Sequence, residues 1–184
     1  SKVRRDMQHM SEEILSNPVT GETMRVLEST PQKFIIEYAL KPHGQIPLEH
    51  YHPDIEQEIS VKSGEMHLTV NGNHKIVRTG ETVTAPPSAR HFQWNPSNTE
   101  VMAVETYRPA GRNHAFFKTL FGLATDRLTD STGMPSLLYR VAIFSEFRDT
   151  IRPVARIHQV QITVLKPISW LLGYSRRITK YRQN

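Results

Sequence analysis

The chain has 184 residues, 23 Lys plus Arg against 18 Asp plus Glu, a formal net charge of +5 and no cysteine. That length closes a hydrophobic core without covalent staples, and the missing thiols exclude a cysteine nucleophile, a redox dithiol and a thiolate metal site. Charge is divided unevenly: residues 1–110 carry 11 basic against 14 acidic side chains, a net of −3, and residues 111–184 carry 12 against 4, a net of +8. The two parts differ in kind, so a boundary is expected near Arg108-Pro-Ala-Gly-Arg112, giving an arm over 1–16, a domain over 17–110 and an extension over 111–184.

In chain order, Ser1–Ser16 is polar and charged, with a helix start at Ser11-Glu-Glu-Ile. No apolar run follows the N-terminal charges, as a secretory signal would need. The longest apolar stretches stop well short of the roughly 20 residues that cross a bilayer. A cytoplasmic protein is the expectation. Asn17-Pro18 and Thr20-Gly21 are turn signals. Thr23–Glu28 and Lys33–Leu40 then read as strands, with Phe34, Ile36, Tyr38 and Leu40 on one face. Pro42, His43, Gly44 and Pro47 make a loop that delivers His50.

Further strands follow at Gln57–Val61, Glu65–Val70, Lys75–Thr79, Thr82–Ala85, His91–Asn95 and Glu100–Tyr107. The hairpin turn Asn71-Gly72 divides the second from the third. About eight or nine short, evenly spaced strands favour a closed or two-sheet β architecture. Beyond Gly111 the period changes to helical: Phe117, Leu120, Phe121 and Ala124 form one set and Leu137, Val141, Phe144 and Phe147 another, with Thr132-Gly133-Met-Pro135 between them. A third segment, Ile157–Leu172, contains Pro167 and is expected to bend or divide there. The chain closes with the basic run Tyr174-Ser-Arg-Arg-Ile-Thr-Lys-Tyr-Arg182.

His50 and His52 are separated by one residue, so on an extended strand both imidazoles leave the same face. His91, far along the chain in the stretch Gly80–Asn95, is placed to supply a third nitrogen. These residues resemble the cupin superfamily. Gly44, five residues, His50-x-His52 and then Gly64 fall in register with its first motif, and Gly80, five residues, Pro86-x-Ser88, two residues, His91, three residues and Asn95 with its second. Two positions depart from the pattern: Gln57 stands at the glutamate and Ser88 at the inner glycine. Asn17-Pro-Val-Thr-Gly-Glu22 is also similar to the entry sequence of many small single-domain cupins. The resemblance covers roughly Asn17 to Pro109 and implies a mainly β fold, a jelly-roll barrel followed by C-terminal α-helices.

It further implies one divalent transition metal held by His50, His52 and His91 with Gln57 as the fourth residue. Iron comes first, with manganese, nickel, copper or zinc as alternatives. An amide oxygen is neutral and a weak ligand for a hard cation. The Pro53-Asp54 bend leaves strand parity open, so Glu56 or Glu58 is an alternative to Gln57. Gln93 and Asn95 share parity with His91; they either orient a substrate, joining Gln57 as catalytic residues, or satisfy buried backbone groups. Tyr38, Arg25 and Tyr107 have parity alone behind them. No organic cofactor is expected.

Family relatives with three-histidine iron sites add dioxygen to small chelating molecules, so a dioxygenase-type oxidoreductase acting on a small-molecule substrate is the expected function. The alternatives are a non-redox metal-dependent isomerase or lyase, and a non-catalytic ligand-binding cupin. The basic C-terminus has two readings, a peripheral contact with anionic membrane or a cap over the barrel or a partner. The expected assembly is a homodimer. No nucleic-acid reading motif accompanies the charge.

Overall fold

Alternating apolar and polar side chains dominate the first part of the chain, and in the computed structural model, which describes residues 13–182, they build two antiparallel sheets. The first runs in the order β1 (Ile14–Ser16), β2 (Thr23–Ser29), β3 (Phe34–Leu40), β10 (Val101–Arg108), β5 (Glu56–Ser63) and β8 (Thr82–Ala85). The second runs β11 (Arg152–Pro153), β4 (His50–Tyr51), β9 (His91–Trp94), β6 (Glu65–Val70) and β7 (Asn73–Arg78). Phe34, Ile36, Tyr38 and Leu40 of β3 are buried between the sheets with Ile59, Val61, Met66 and Leu68. The result is a jelly roll, mainly β with helices at its C-terminal side. Asn71 and Gly72 take φ of 51° and 81°, the left-handed pair that matches the twist of the β6–β7 hairpin.

Four helices follow: α1 (Asn113–Thr125), α2 (Leu137–Glu146), α3 (Arg156–Leu171) and the short α4 (Tyr174–Arg177), which runs into a 3-10 turn at Ile178–Arg182. Among the described residues, no helix is long and apolar enough to cross a membrane. The helices share the barrel's core: Phe116, Leu120, Leu123, Phe144 and Phe147 belong to the same buried cluster as the strand residues. Phe147 is fully buried with its ring 5.7 Å from that of Phe116, and the Arg112 guanidinium lies 4.6 Å over it. After α2 the chain returns to the barrel. There Pro153 pairs with His50 and Arg152 with Tyr51, so a residue pair from the extension completes the edge of the second sheet.

Two sequence expectations are corrected. The helix start at Ser11-Glu-Glu-Ile lies partly outside the described residues, and Ile14–Ser16 is a strand that pairs with Thr23–Arg25 of β2. Pairing satisfies backbone groups that the β2 edge would otherwise leave open, which outweighs a weak local helix signal. Of the bend or division expected at Pro167, division does not occur, and α3 continues through it. It stands on an exposed side, where solvent can take the carbonyl its ring leaves unbonded, and Ser169 Oγ donates to Leu138 O at 3.0 Å just beyond it. Because barrel and helices share one core, Phe147→Ala should lower stability by about 3–5 kcal/mol. Urea melts followed by far- and near-UV circular dichroism should then still show one coincident transition, shifted as a whole.

Candidate metal centre

The imidazoles of His50, His52 and His91 meet inside the barrel. Ring centroids lie 4.3 Å apart for His50 and His91, 5.1 Å for His50 and His52 and 5.3 Å for His52 and His91. Taking one ligand atom from each, all three lie within 4.8 Å of one another. β4 and β9 pair with His50 directly opposite His91, which brings together side chains 41 positions apart. His52 follows on the next extended residue but one.

Each ring is oriented by a backbone carbonyl. His50 Nδ1 faces Leu48 O at 3.2 Å, His52 Nδ1 faces Thr150 O at 2.7 Å and His91 Nδ1 faces Ala89 O at 2.9 Å. A carbonyl can only accept, so each Nδ1 donates and each Nε2 keeps its lone pair. Nε2 of His52 and of His91 is buried and has no hydrogen-bonding partner among the described residues. Burial holds all three rings below the ordinary histidine range. His50 lies well below it with added repulsion from His91 and His52, and His52 is lowered to about 4 by burial and by His91. Three neutral nitrogen donors aimed at one another are what a divalent transition metal requires.

The β8–β9 loop secures this arrangement through Ser88. It takes φ of 64°, the conformation that the glycine of the family motif adopts freely. Its N–H donates to His52 O at 2.7 Å and its Oγ to Pro53 O at 3.0 Å. Two bonds to the segment carrying His52 offset the roughly 1 kcal/mol that a side chain costs there.

Gln57 lies beside His52. Its Nε2 donates to Glu105 Oε2 and to Tyr107 Oη, both at 3.2 Å, while its Oε1 is buried without a partner among the described residues. The Gln57 amide therefore lies against His52, and the ligand atoms that the structure groups are those of the three histidines. Glu56 and Glu58 stand on the other face, within 3.9 Å and 3.7 Å of Arg108, and neither replaces Gln57. The strand keeps its parity through the bend, and a shift of one residue would have turned Ile59 and Val61 outward.

Gln93 reaches the cavity and donates from Nε2 to Glu105 Oε1 at 2.7 Å. Asn95 is buried but lies apart from the site. Its Nδ2 donates to the carbonyls of Leu40, Lys41 and Thr99, and its Oδ1 accepts from Ser97. Of the two sequence readings of Asn95, the structure supports backbone satisfaction, because β9 ends at Trp94 and parity no longer holds one residue later. Arg25 pairs with Glu37 at 2.9 Å on a partly exposed face. Tyr38 and Tyr107 do line the cavity.

Three participants are not among the site residues expected from the sequence. Glu105 is fully buried and accepts from Gln57, Gln93 and Tyr107, the last at 2.7 Å; burial raises its carboxyl above the usual range. The alternation Val101, Ala103, Glu105, Tyr107 carried the signal, an acid on an otherwise apolar face. Glu22, in the loop before β2, accepts from Thr20 Oγ1 and from Tyr38 Oη at 3.2 Å, and burial pushes it up to about 7. Thr150 contributes only a carbonyl, and a carbonyl has no sequence signature.

Together these groups form the polar part of a cavity's lining. Phe116, Phe117 and Leu120 of α1, Met134 from the following turn and Phe144 of α2 supply much of its apolar lining. No Lys or Arg is among the described residues that line it.

Comparison with known proteins agrees with this geometry. The family profile described as Cupin domain matches residues 36–107. The barrel is a cupin domain. An RmlC-like cupin from Shewanella frigidimarina NCIMB 400 is similar in structure, with a TM-score of 0.51 and 22% identity, over 58% of this chain and 91% of that one. So are KdgF from Halomonas sp. (TM-score 0.51, 12% identity, 58% and 94% coverage) and a cupin-superfamily sugar phosphate isomerase from Silicibacter pomeroyi DSS-3 (0.50, 16%, 55% and 73%). At these identities the likeness is one of fold. Among curated proteins, none matches the sequence.

If the cupin site holds its ion as drawn, protein purified without chelator carries transition metal by elemental analysis, and His91→Ala carries at least about tenfold less. A second measurement concerns Glu22. The unfolded chain releases this proton near pH 4.5 and the native state near 7, so its contribution to stability falls as pH rises through that window. The buried histidines have the opposite sign, losing stability as pH falls below 6.5, but they are common to parent and variant. Between about pH 4.5 and pH 8, Glu22→Gln should therefore gain on the order of 3 kcal/mol relative to the parent in urea melts.

Proposed function

We propose that the chain is a metal-dependent oxidoreductase of the dioxygenase type, acting on a small, largely apolar molecule whose oxygen-bearing head chelates the ion. The observation that carries this reading is the convergence of three neutral imidazoles beside a cavity lined largely by apolar side chains. Iron(II) suits the nitrogen and oxygen donors and, when bound, would supply the redox-active centre for the reaction of dioxygen with the substrate. His50, His52, His91 and Gln57 bring no negative charge, so they favour an anionic chelating head such as an enolate or catecholate over a neutral one.

The chain's own groups divide the remaining work. Three donors hold Glu105 in place, and Glu105 in turn fixes the amides of Gln57 and Gln93. Gln93 keeps its Oε1, buried without a partner among the described residues, for a substrate hydroxyl. Phe116, Phe117 and Leu120 exclude water and accommodate a ring or short chain. The absence of Lys and Arg from the described lining residues weighs against a phosphorylated substrate, which needs cationic partners.

Glu22 favours a second reading. An isomerase or lyase needs a proton carrier poised near neutral pH, and Glu22, pushed up to about 7 beside Tyr38, lines the same cavity. One experiment separates the two. Protein stripped of metal and reloaded anaerobically with iron(II) is mixed with a panel of catechols and β-diketones in an oxygen electrode. Oxygen consumption matched to product, absent from the zinc-loaded protein, is the expected result. Turnover by the zinc form that Glu22→Gln abolishes would establish the non-redox reading instead, and saturable ligand binding without turnover under either metal would leave a binding module.

A further inference from the structure

Helix α3 presents an apolar face to the outside. Ile157, Val160, Val164, Ile168 and Leu171 recur at three- and four-residue spacing and form a single stripe. All five are exposed, Val164 at 63% and Leu171 at 73%. The side that packs on α2 is a separate one, where the half-buried Ile162 and Leu165 sit with polar groups: Ser169 Oγ donates to Leu138 O, and Gln161 Oε1 accepts from Arg140 at 3.2 Å. At the C-terminal end of the stripe Trp170 is exposed at 67%, followed by Leu172 at 54%.

A cleft runs beside the stripe, between α3 and the segment around β11, lined by Arg148, Arg152, Gln159, Thr163 and Lys166. None of its three cations pairs with a carboxylate among the described residues, and the Arg152 side chain bonds instead to Arg148 O at 2.8 Å. Gln159, Thr163, Lys166 and Trp170 form one row along the helix, directly next to the apolar stripe. From Thr150 to Asn184 the sequence has seven basic residues and no acidic one.

We infer that α3 docks on an anionic membrane surface, with its apolar stripe at the boundary of headgroups and acyl chains and the Arg148–Arg152–Lys166 cleft on a lipid phosphate. A helix lying in that plane needs an outward apolar face, an aromatic residue at the interface and cations level with the headgroups, and α3 with its surroundings has all three. A second copy of the chain is the other candidate to cover the stripe. A two-fold contact there would set the Arg148, Arg152 and Lys166 cations beside each stripe against the like charges of the other copy, whereas anionic lipid is complementary to them.

The test uses the full chain with vesicles of phosphatidylcholine, alone and mixed with phosphatidylglycerol. Co-sedimentation with the mixed vesicles only, reversed at about 0.5 M salt, is the expected result. It is accompanied by a blue shift of tryptophan emission that Trp170→Phe removes. Val164→Asp with Leu171→Asp abolishes binding, and Arg148→Ala with Arg152→Ala weakens it on the order of tenfold. Val164, Leu171 and Arg148 are exposed and Arg152 is half-buried, so circular dichroism of each variant is required to match the parent before its binding is read. Equal binding to both kinds of vesicle, or to neither, overturns the proposal. So does a dimer in sedimentation equilibrium that the Val164→Asp, Leu171→Asp variant dissociates, since a second copy would then be covering the stripe.

Discussion

Three hydrogen bonds from Nδ1 to backbone carbonyls decide what the centre of this barrel can be. A buried imidazole has two tautomers and a free ring rotation; a carbonyl at 2.7 to 3.2 Å removes both freedoms at once. The remaining nitrogens then keep their lone pairs and are turned toward one another in a setting that resists protonation, because burial penalises the charged ring. Gln57, Ser88 and Glu105 are supporting pieces around that fact. Ser88 bonds the strand that carries His52, Glu105 fixes the amide of Gln57, and Gln57 leaves an oxygen on the inner side.

The bond to His52 ties the helical extension to the site. Its acceptor is Thr150 O, 98 residues away and beyond α2, and the segment that supplies it continues into β11 on the edge of β4. The extension thus lines the cavity, completes a sheet and orients one of the three rings. Loosening Phe147 or Arg112, which anchor this segment, would be felt at His52 through the position of one carbonyl.

The sequence held much of this in plain view. A His-x-His pair with a distant third histidine names the centre because ligand chemistry restricts residue type, and the Asn71-Gly72 turn and the spacing of Phe117, Leu120 and Phe121 announce a hairpin and a helix by local physics alone. What stayed hidden depends on the rest of the fold. Asn95 shares a parity with His91 that ends with the strand one residue earlier, so its side chain holds a loop together. Pro167 reads as a break, yet on a solvated face its missing bond is tolerated. Glu22 looks like an ordinary loop acid until the barrel buries it, Glu105 shows itself only as an acid on an apolar face of its strand, and Thr150 acts through an atom that every residue possesses.

Phe144 lies at the meeting point of two regions. Its ring belongs to the wall of the metal cavity and also to the wall of the basic cleft beside α3. One aromatic side chain therefore stands between a greasy interior and the outer face where the helix exposes its apolar stripe. A change of size at that one position would be felt on both sides at once, in the room left inside the barrel and in the shape of the outer cleft.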